Sequence, residues 1–272
     1  MPKALIFDVG AHRGDDSFVY LKQGYRVVAV EANELLTAEL QKRLQAEIKA
    51  GDFSIVHCAV SSTDDQCINF YLARDTSRSS VFESAQAIAT KVQSQRLDTL
   101  FAKFGEPFYC KIDIEGSDLV ALHSIGNYRP SWVSVEVSGH SVAELEMHTG
   151  KLFDTLEALH QFGYTQFKLV DQENLVVLSR QSYYRYRKTI PGGVREFIWK
   201  KFRLSPRDHF RRKFHLPADS ELSGYPSNGL GGVWSSYAEA KDLLAFHFAE
   251  YREVCRDKNL LFWVDIHAGL GT

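Results

Sequence analysis

The sequence predicts an α/β fold built on a doubly wound, mostly parallel sheet, and three observations predict it. Short apolar, β-branched runs alternate with amphipathic stretches from the first residues to about residue 180. A glycine turn, Gly10-Ala11-His12-Arg13-Gly14, stands between the first apolar run and the first helical pattern. A carboxylate, Glu31, then closes the second run, at the spacing where such folds place the residue that accepts ribose hydroxyls. Right-handed β-α-β crossovers follow from that alternation.

Each element has its own reason. Leu5 to Val9 is nearly continuous in apolar residues, as a strand covered on both faces requires. Asp15-Asp16-Ser17 opens a helix that runs to about Gln23 and stops at Gly24, and Arg26 to Glu31 is a second strand. Asn33 is an N-cap for a helix over Glu34 to Ala50, which Gly51 ends. Phe53 to Val60 is a third strand. Cys67 to Leu72 mixes polar and apolar residues without helical period and reads as an antiparallel excursion. Helical patterning starts at Glu83, and Pro107 precedes a fourth strand over Phe108 to Ile114. Ser117 begins another helix and Trp132 to Val137 is a fifth strand. A helix from Leu152 to Phe162 and a hairpin over Thr165–Val170 and Leu175–Leu178 complete the series. From Tyr183 the chain turns basic and aromatic. It then carries a Gly- and Pro-punctuated stretch, a helix over Tyr237 to Cys255 and a strand over Leu260 to Ile266. The expected organisation is a first domain over 1–180 and a C-terminal extension over 181–272.

Composition limits the class. The 272 residues are 44% hydrophobic and 24% charged, as a folded globular chain should be. Lys and Arg number 32 against 34 Asp and Glu, a net charge of −2, so no bulk field draws the chain to nucleic acid or an anionic membrane. No apolar run approaches the length of a membrane span, and no secretory leader is read at the N-terminus. Cys58, Cys67, Cys110 and Cys255 lack C-x-x-C spacing and read as free thiols. A cytoplasmic location is expected.

The chemistry concentrates at the carboxyl edge of the predicted sheet. Gly10 and Gly14 are spaced G-x-x-x-G, not the G-x-G-x-x-G of a dinucleotide pyrophosphate site, and the turn should present amides at a helix N-terminus. Glu31 should hold a ribose. In Lys111-Ile112-Asp113-Ile114-Glu115-Gly116, alternate residues share a face, so Asp113 and Glu115 are aimed at the ligand edge and Lys111 can pair with either.

These segments resemble one family. Asp8 to Gly14, Val30-Glu31, the Ser79-Ser80 pair, Arg96-Leu97-Asp98-Thr99-Leu100 and Lys111 to Gly116 look like the FkbM-type methyltransferases, class I enzymes that use S-adenosylmethionine. The likeness covers about residues 5–180, and the K-I-D-I-E-G run after R-L-D-T-L is its most specific part. At Ala32-Asn33 the chain departs from relatives that carry a proline there. The resemblance implies a Rossmann-like sheet of seven strands whose last strand is antiparallel. It also implies O-methylation of a sugar, polyketide or other natural-product hydroxyl. It places Asp8, Gly10, Ala11 and Gly14 at the methionine moiety of the cofactor, and Glu31 on its ribose. Asn33 or His12 approaches the adenosine, Ala32 is a further cofactor contact, Ala59 falls near adenine, and Asp113 and Glu115 near the transferring methyl or the acceptor.

A hydroxyl acceptor needs its proton removed. His12, His140 and His267 are the histidines read near strand ends, with Lys111, Asp113 and Glu115 as further catalytic candidates. Asp113, Glu115 and Asp118 offer hard oxygen ligands whose spacing specifies no cation, and no metal is expected. The partner is a small-molecule acceptor, a sugar or glycoside bound by the extension; the same extension suits a dimer arm, hence a homo-oligomer. Two other readings compete: an NAD-dependent Rossmann oxidoreductase, and a non-catalytic interaction module on a degenerate methyltransferase fold.

Overall fold

The computed structural model describes residues 2–72, 88–139, 149–172, 175–180, 206–216, 226–255 and 262–271. The chain divides into two compact units, one of residues 1–136 with Pro226–Asn228, the other of residues 137–225 and 229–272.

The first unit begins with β1 (Leu5–Val9), α1 (Asp15–Lys22), β2 (Arg26–Glu31), α2 (Glu34–Arg43), α3 (Gln45–Lys49) and β3 (Phe53–His57). It continues through β4 (Ala59–Val60), β5 (Cys67–Leu72), β6 (Ile88–Gln95), α4 (Leu97–Phe104), β7 (Tyr109–Ile112) and α5 (Asp118–His123). A further strand, β8 (Trp132–Gly139), starts in this unit. The strands lie side by side as β3-β2-β1-β7-β8, every pair parallel. Strand order reverses between β1 and β7. Chains leaving their carboxyl ends therefore diverge and open a crevice, the usual ligand position of such sheets.

Burial explains the regular core. All of β1 is buried, as is β2 after its first residue, and α4 turns Leu97, Leu100 and Phe101 inward. Phe101 meets Phe7 edge-on at 4.8 Å between centroids. Each such side chain contributes on the order of 1.5–3 kcal/mol by leaving water. Asn33 caps α2 as expected, its Oδ1 accepting from the Leu35 amide at 3.0 Å.

Several expectations are corrected here. The single helix over 34–50 is two, α2 and α3, broken at Leu44. The third strand is also two: the Cys58 amide turns to the Glu31 carbonyl, and Ala59–Val60 leaves to pair with β6. Where helical patterning was expected from Glu83, residues 88–95 form β6, antiparallel to β5; residues 83–87 lie outside the described residues. The reason is tertiary. Val92 packs with Phe70 and Ala59 in a small apolar cluster, a role alternation satisfies and a helix does not.

The second unit holds α6 (Thr149–Gln161), β9 (Gln166–Asp171), β10 (Val176–Val177), α7 (Pro206–Lys213), α8 (Tyr237–Cys255) and β11 (Phe262–Gly269). The hairpin expected at 165–178 is present as β9 and β10. The antiparallel last strand is β11, which pairs with β9 from Val264↔Asp171 to Gly269↔Gln166. The terminal strand, read from sequence as part of an extension, is thus a sheet member, and packing divides the chain elsewhere than at residue 180. Pro226–Asn228, from the Gly-rich stretch, belong to the first unit, with Ser227 fully buried. Among the described residues no helix is long and apolar enough to cross a membrane.

Candidate active site

The glycine turn is held mainly by the chain itself. The Gly10 and Ala11 amides both donate to the Val30 carbonyl, at 2.9 and 3.1 Å, and the Gly14 amide donates to Ala11. The His12 amide donates to Glu31 Oε2 at 2.8 Å. These four amides are committed internally, which corrects the expectation that the turn offers them to a ligand. Gly10 itself is required by a close approach: at φ 83°, a Cβ there would lie 1.7 Å from the Asp113 carbonyl oxygen. The turn and the end of β7 are therefore packed backbone to backbone.

Glu31 is anchored at both oxygens. Its Oε1 accepts from the Asn33 amide at 2.8 Å while Oε2 takes that of His12. Burial pushes this carboxyl upward, and the two amides work against that push. Each oxygen keeps a lone pair, so the donor set fits two further hydroxyl donors such as those of a ribose. Asn33 is 2% exposed, and it spends its side-chain oxygen on the cap, its amide on Glu31 and its carbonyl on Thr37. Ala59 is buried in the apolar cluster with Phe70 and Val92, against which Ala32 also packs.

Beneath the turn lies a buried ion cluster. Lys111 Nζ is 3.0 Å from Asp113, 3.3 Å from Asp16 and 3.6 Å from Asp8. Asp8 also accepts from the Ser17 hydroxyl at 2.6 Å. Burial works against the Lys111 charge, but Asp113, Asp16 and Asp8 hold its pKa well above the ordinary lysine value. Lys111 is 3% exposed and faces these carboxylates, so it is an anchor and not a reacting group, a correction to its expected catalytic role. Asp8, fully buried, shapes the turn from below.

The K-I-D-I-E-G run turns sharply after β7. Glu115 and Gly116 take φ values of 55° and 96°, and Asp118 closes the turn by accepting from the Ile114 and Gly116 amides at 2.8 and 2.9 Å. Burial, with the Asp113 charge behind it, brings Asp118 to about 7. Asp113, Glu115 and Glu136 carry carboxylate oxygens within 4.8 Å of one another. Burial tends to raise Asp113, but the Lys111 ammonium and a hydrogen bond from Glu136 keep it below the usual carboxylate range. Burial and the Asp113 charge push Glu136 well above it. Sequence reading missed Glu136. The signal was a lone carboxylate inside an otherwise apolar strand, where an unpaired charge is not tolerated.

The R-L-D-T-L run is a clamp. Arg96 grips both Asp98 oxygens, at 2.9 and 2.6 Å, and donates to the Ser62 carbonyl at 2.8 Å, while its amide donates to Asp64. It joins the end of β6 to the start of α4.

Of the histidines, His12 stands in the turn with its backbone amide on Glu31. His140 lies outside the described residues. His267 is fully buried in β11, and burial, with Lys168 nearby, lowers it to about 3. So weak a base, closed from solvent, does not serve an acceptor hydroxyl, which corrects its expected role.

A parallel sheet with reversed order, a glycine turn, a doubly anchored Glu31 and a carboxylate-rich β7 end define a nucleoside-binding α/β fold of the class I methyltransferase kind. The model of the FkbM methyltransferase domain matches residues 8–165, and the chain belongs to that family. Methyl transfer is its class of reaction and S-adenosylmethionine its cofactor. The NAD-dependent oxidoreductase reading is thereby set aside. Similar solved structures include an S-adenosylmethionine-dependent methyltransferase from Geobacter sulfurreducens in complex with S-adenosylhomocysteine. It is 14% identical, with a TM-score of 0.40 over 98% of this chain and 84% of that one. Another, from Thiobacillus denitrificans with the same ligand, is 13% identical, with a TM-score of 0.39 over 98% and 85%. A phosphoethanolamine N-methyltransferase from Haemonchus contortus is 13% identical, with a TM-score of 0.42 over 100% and 49%. A comparison with curated proteins found no match.

Proposed function

We propose that this chain transfers a methyl group from S-adenosylmethionine to a hydroxyl of a sugar, polyketide or other natural-product small molecule. The observation that carries the reading is Asp113. Held ionised by Lys111, it stands with Glu115 at the carboxyl edge, where a carboxylate can accept the hydrogen bond of an incoming hydroxyl.

The cofactor supplies an activated methyl; the protein supplies alignment and a place for the proton. Glu31 binds and orients the ribose. Asp113 aligns the acceptor but, with its pKa held down, is a poor base. Of the histidines considered, we assign the proton to His12, which stands in the glycine turn with its amide on Glu31. Residues 181–272 are proposed to bind the acceptor.

The test is radiolabelled S-adenosylmethionine offered with a panel of glycosides, macrolides, phenols and primary amines, the products identified by mass spectrometry. Methyl transfer to hydroxyls is expected. Transfer confined to amines would overturn the O-methylation. Absence of both transfer and S-adenosylhomocysteine binding would favour the non-catalytic module.

A further inference from the structure

The first half of the glycine turn is held by Val30 and Glu31, and the second half by α2. Leu40, Arg43 and Leu44 stand at i, i+3 and i+4 along α2 and its C-cap, and so share one face. At Gly14, φ 74°, a Cβ would lie 2.3 Å from Leu40 Cδ2 and 3.8 Å from Leu44 Cδ1. That face is therefore seated on the backbone of the turn. Arg43 adds a charge to the seat. Its Nη1 donates to the Arg13 carbonyl at 2.6 Å and stands 2.8 Å from Asp15 Oδ1. Its guanidinium carbon is 5.7 Å from the centre of the Phe18 ring, one turn further along α1. A carbonyl before Gly14, a carboxylate after it and a ring on the next turn all meet one side chain. The first turn of α1 also carries two buried carboxylates, Asp15 and Asp16. Each has its cation: Lys111 is 3.3 Å from Asp16, and Arg43 serves Asp15.

We propose that Arg43 is a positioning residue of the cofactor site: from the last turn of α2 it fixes the Arg13–Asp15 half of the glycine turn and cancels the Asp15 charge, so that the turn accepts a carboxylate. The helix then serves the cofactor at both of its ends. Its N-cap, Asn33, gives Glu31 an amide at 2.8 Å, and its last residue holds the turn. The role rests on the methyl-transfer reading, in which the methionine end of the cofactor lies along the glycine turn and the ribose on Glu31. That end carries a carboxylate. A buried Asp15 stripped of its cation would repel the carboxylate at short range, where little water screens the charge. The Arg13–Gly14 peptide would also lose the donor that sets its direction. Ribose contacts use other atoms and should not feel the change. Both contacts of Arg43 use a single nitrogen, so the planar fork of a guanidinium is not required and a lysine ammonium can replace it.

The experiment has two arms on the full chain. In the first, calorimetry compares S-adenosylhomocysteine with its decarboxylated analogue, which keeps the nucleoside, the thioether and the ammonium and lacks only the carboxylate. The preference for S-adenosylhomocysteine should fall about fivefold or more in Arg43→Ala and return to within about twofold of wild type in Arg43→Lys. A residue that merely ties α2 to α1 would weaken both ligands alike. Equal preference in wild type and Arg43→Ala overturns the proposal, as does an Arg43→Lys protein that behaves like Arg43→Ala. The second arm needs no ligand. Amide hydrogen exchange, read by mass spectrometry, should quicken over residues 13–17 in Arg43→Ala and keep its wild-type rate over β6, Ile88–Gln95. Exchange that is unchanged over 13–17, or that quickens equally over β6, overturns the proposal. A wild-type protein that binds neither ligand fails the methyl-transfer reading instead, and hydrogen exchange still judges whether Arg43 fixes the turn.

Discussion

Glu31 binds backbone at both oxygens and, on the proposed reading, ribose with the lone pairs that remain. Glu31→Ala removes two charge-assisted hydrogen bonds to the nucleoside, each on the order of 1.5–3 kcal/mol. S-adenosylhomocysteine affinity should fall well over tenfold by calorimetry; unchanged affinity would take Glu31 out of the site. Gly10 acts differently. Its Cβ position is occupied by the Asp113 carbonyl and its φ is 83°, so Gly10→Ala should destabilise the fold by about 3 kcal/mol or more in urea titration. Cofactor binding should suffer through the displaced β7 end. These two residues were legible because a glycine turn and a strand-end carboxylate recur at a set spacing. Glu136 was missed: a lone carboxylate in an apolar strand signals that it has partners, but nothing local in Trp132–Val137 says that they are Asp113 and Glu115.

Among the elements, the Arg96–Asp98 clamp is structural and should separate stability from binding. Asp98→Ala leaves Arg96, with a side chain 29% exposed, without its bidentate partner. Partial solvation limits the loss to about 1 kcal/mol, read as a lower urea midpoint with S-adenosylhomocysteine affinity within about twofold of wild type. In β11 the buried His267, lowered to about 3, makes a pH prediction. The unfolded chain binds a proton at this group below about pH 6.5 while the folded chain refuses it, so stability is fully present above 6.5 and declines as pH falls toward 3. His267→Gln should flatten that acid limb by on the order of 1 kcal/mol per pH unit. An unchanged slope would mean that the imidazole is solvated. Helix and strand types were mostly readable from apolar periodicity. The exception, β6, sits in a small apolar cluster whose members come from β4, β5 and β6, so no single window of sequence displays it.

For the molecule as a whole, the strand at the C-terminal end decides what can be removed. The β11 strand pairs with β9 from Val264 to Gly269 and carries the buried Phe262, Val264, Ile266 and Ala268. Deleting residues 256–272 opens the β9 edge and uncovers the apolar surface against which that row packs, so the truncated chain should aggregate or lose its cooperative melting transition. A cooperative transition within a few degrees of the full chain, followed by circular dichroism, would show β11 to be dispensable. A fragment ending at residue 180 should fail in the same way.

The sequence by itself determined the α/β class, the glycine turn, the α2 cap, the hairpin at 165–178 and the family. Each of these is encoded by residues close together in the chain or at a repeated spacing. Tertiary structure alone decided that β11 joins the sheet, that Lys111 faces three carboxylates, that the turn's amides are already spent, and that Asp113, Glu115 and Glu136 come together. Those outcomes depend on which distant residues become neighbours and how far burial removes them from water, and electrostatic energy is set by that proximity and that dielectric environment.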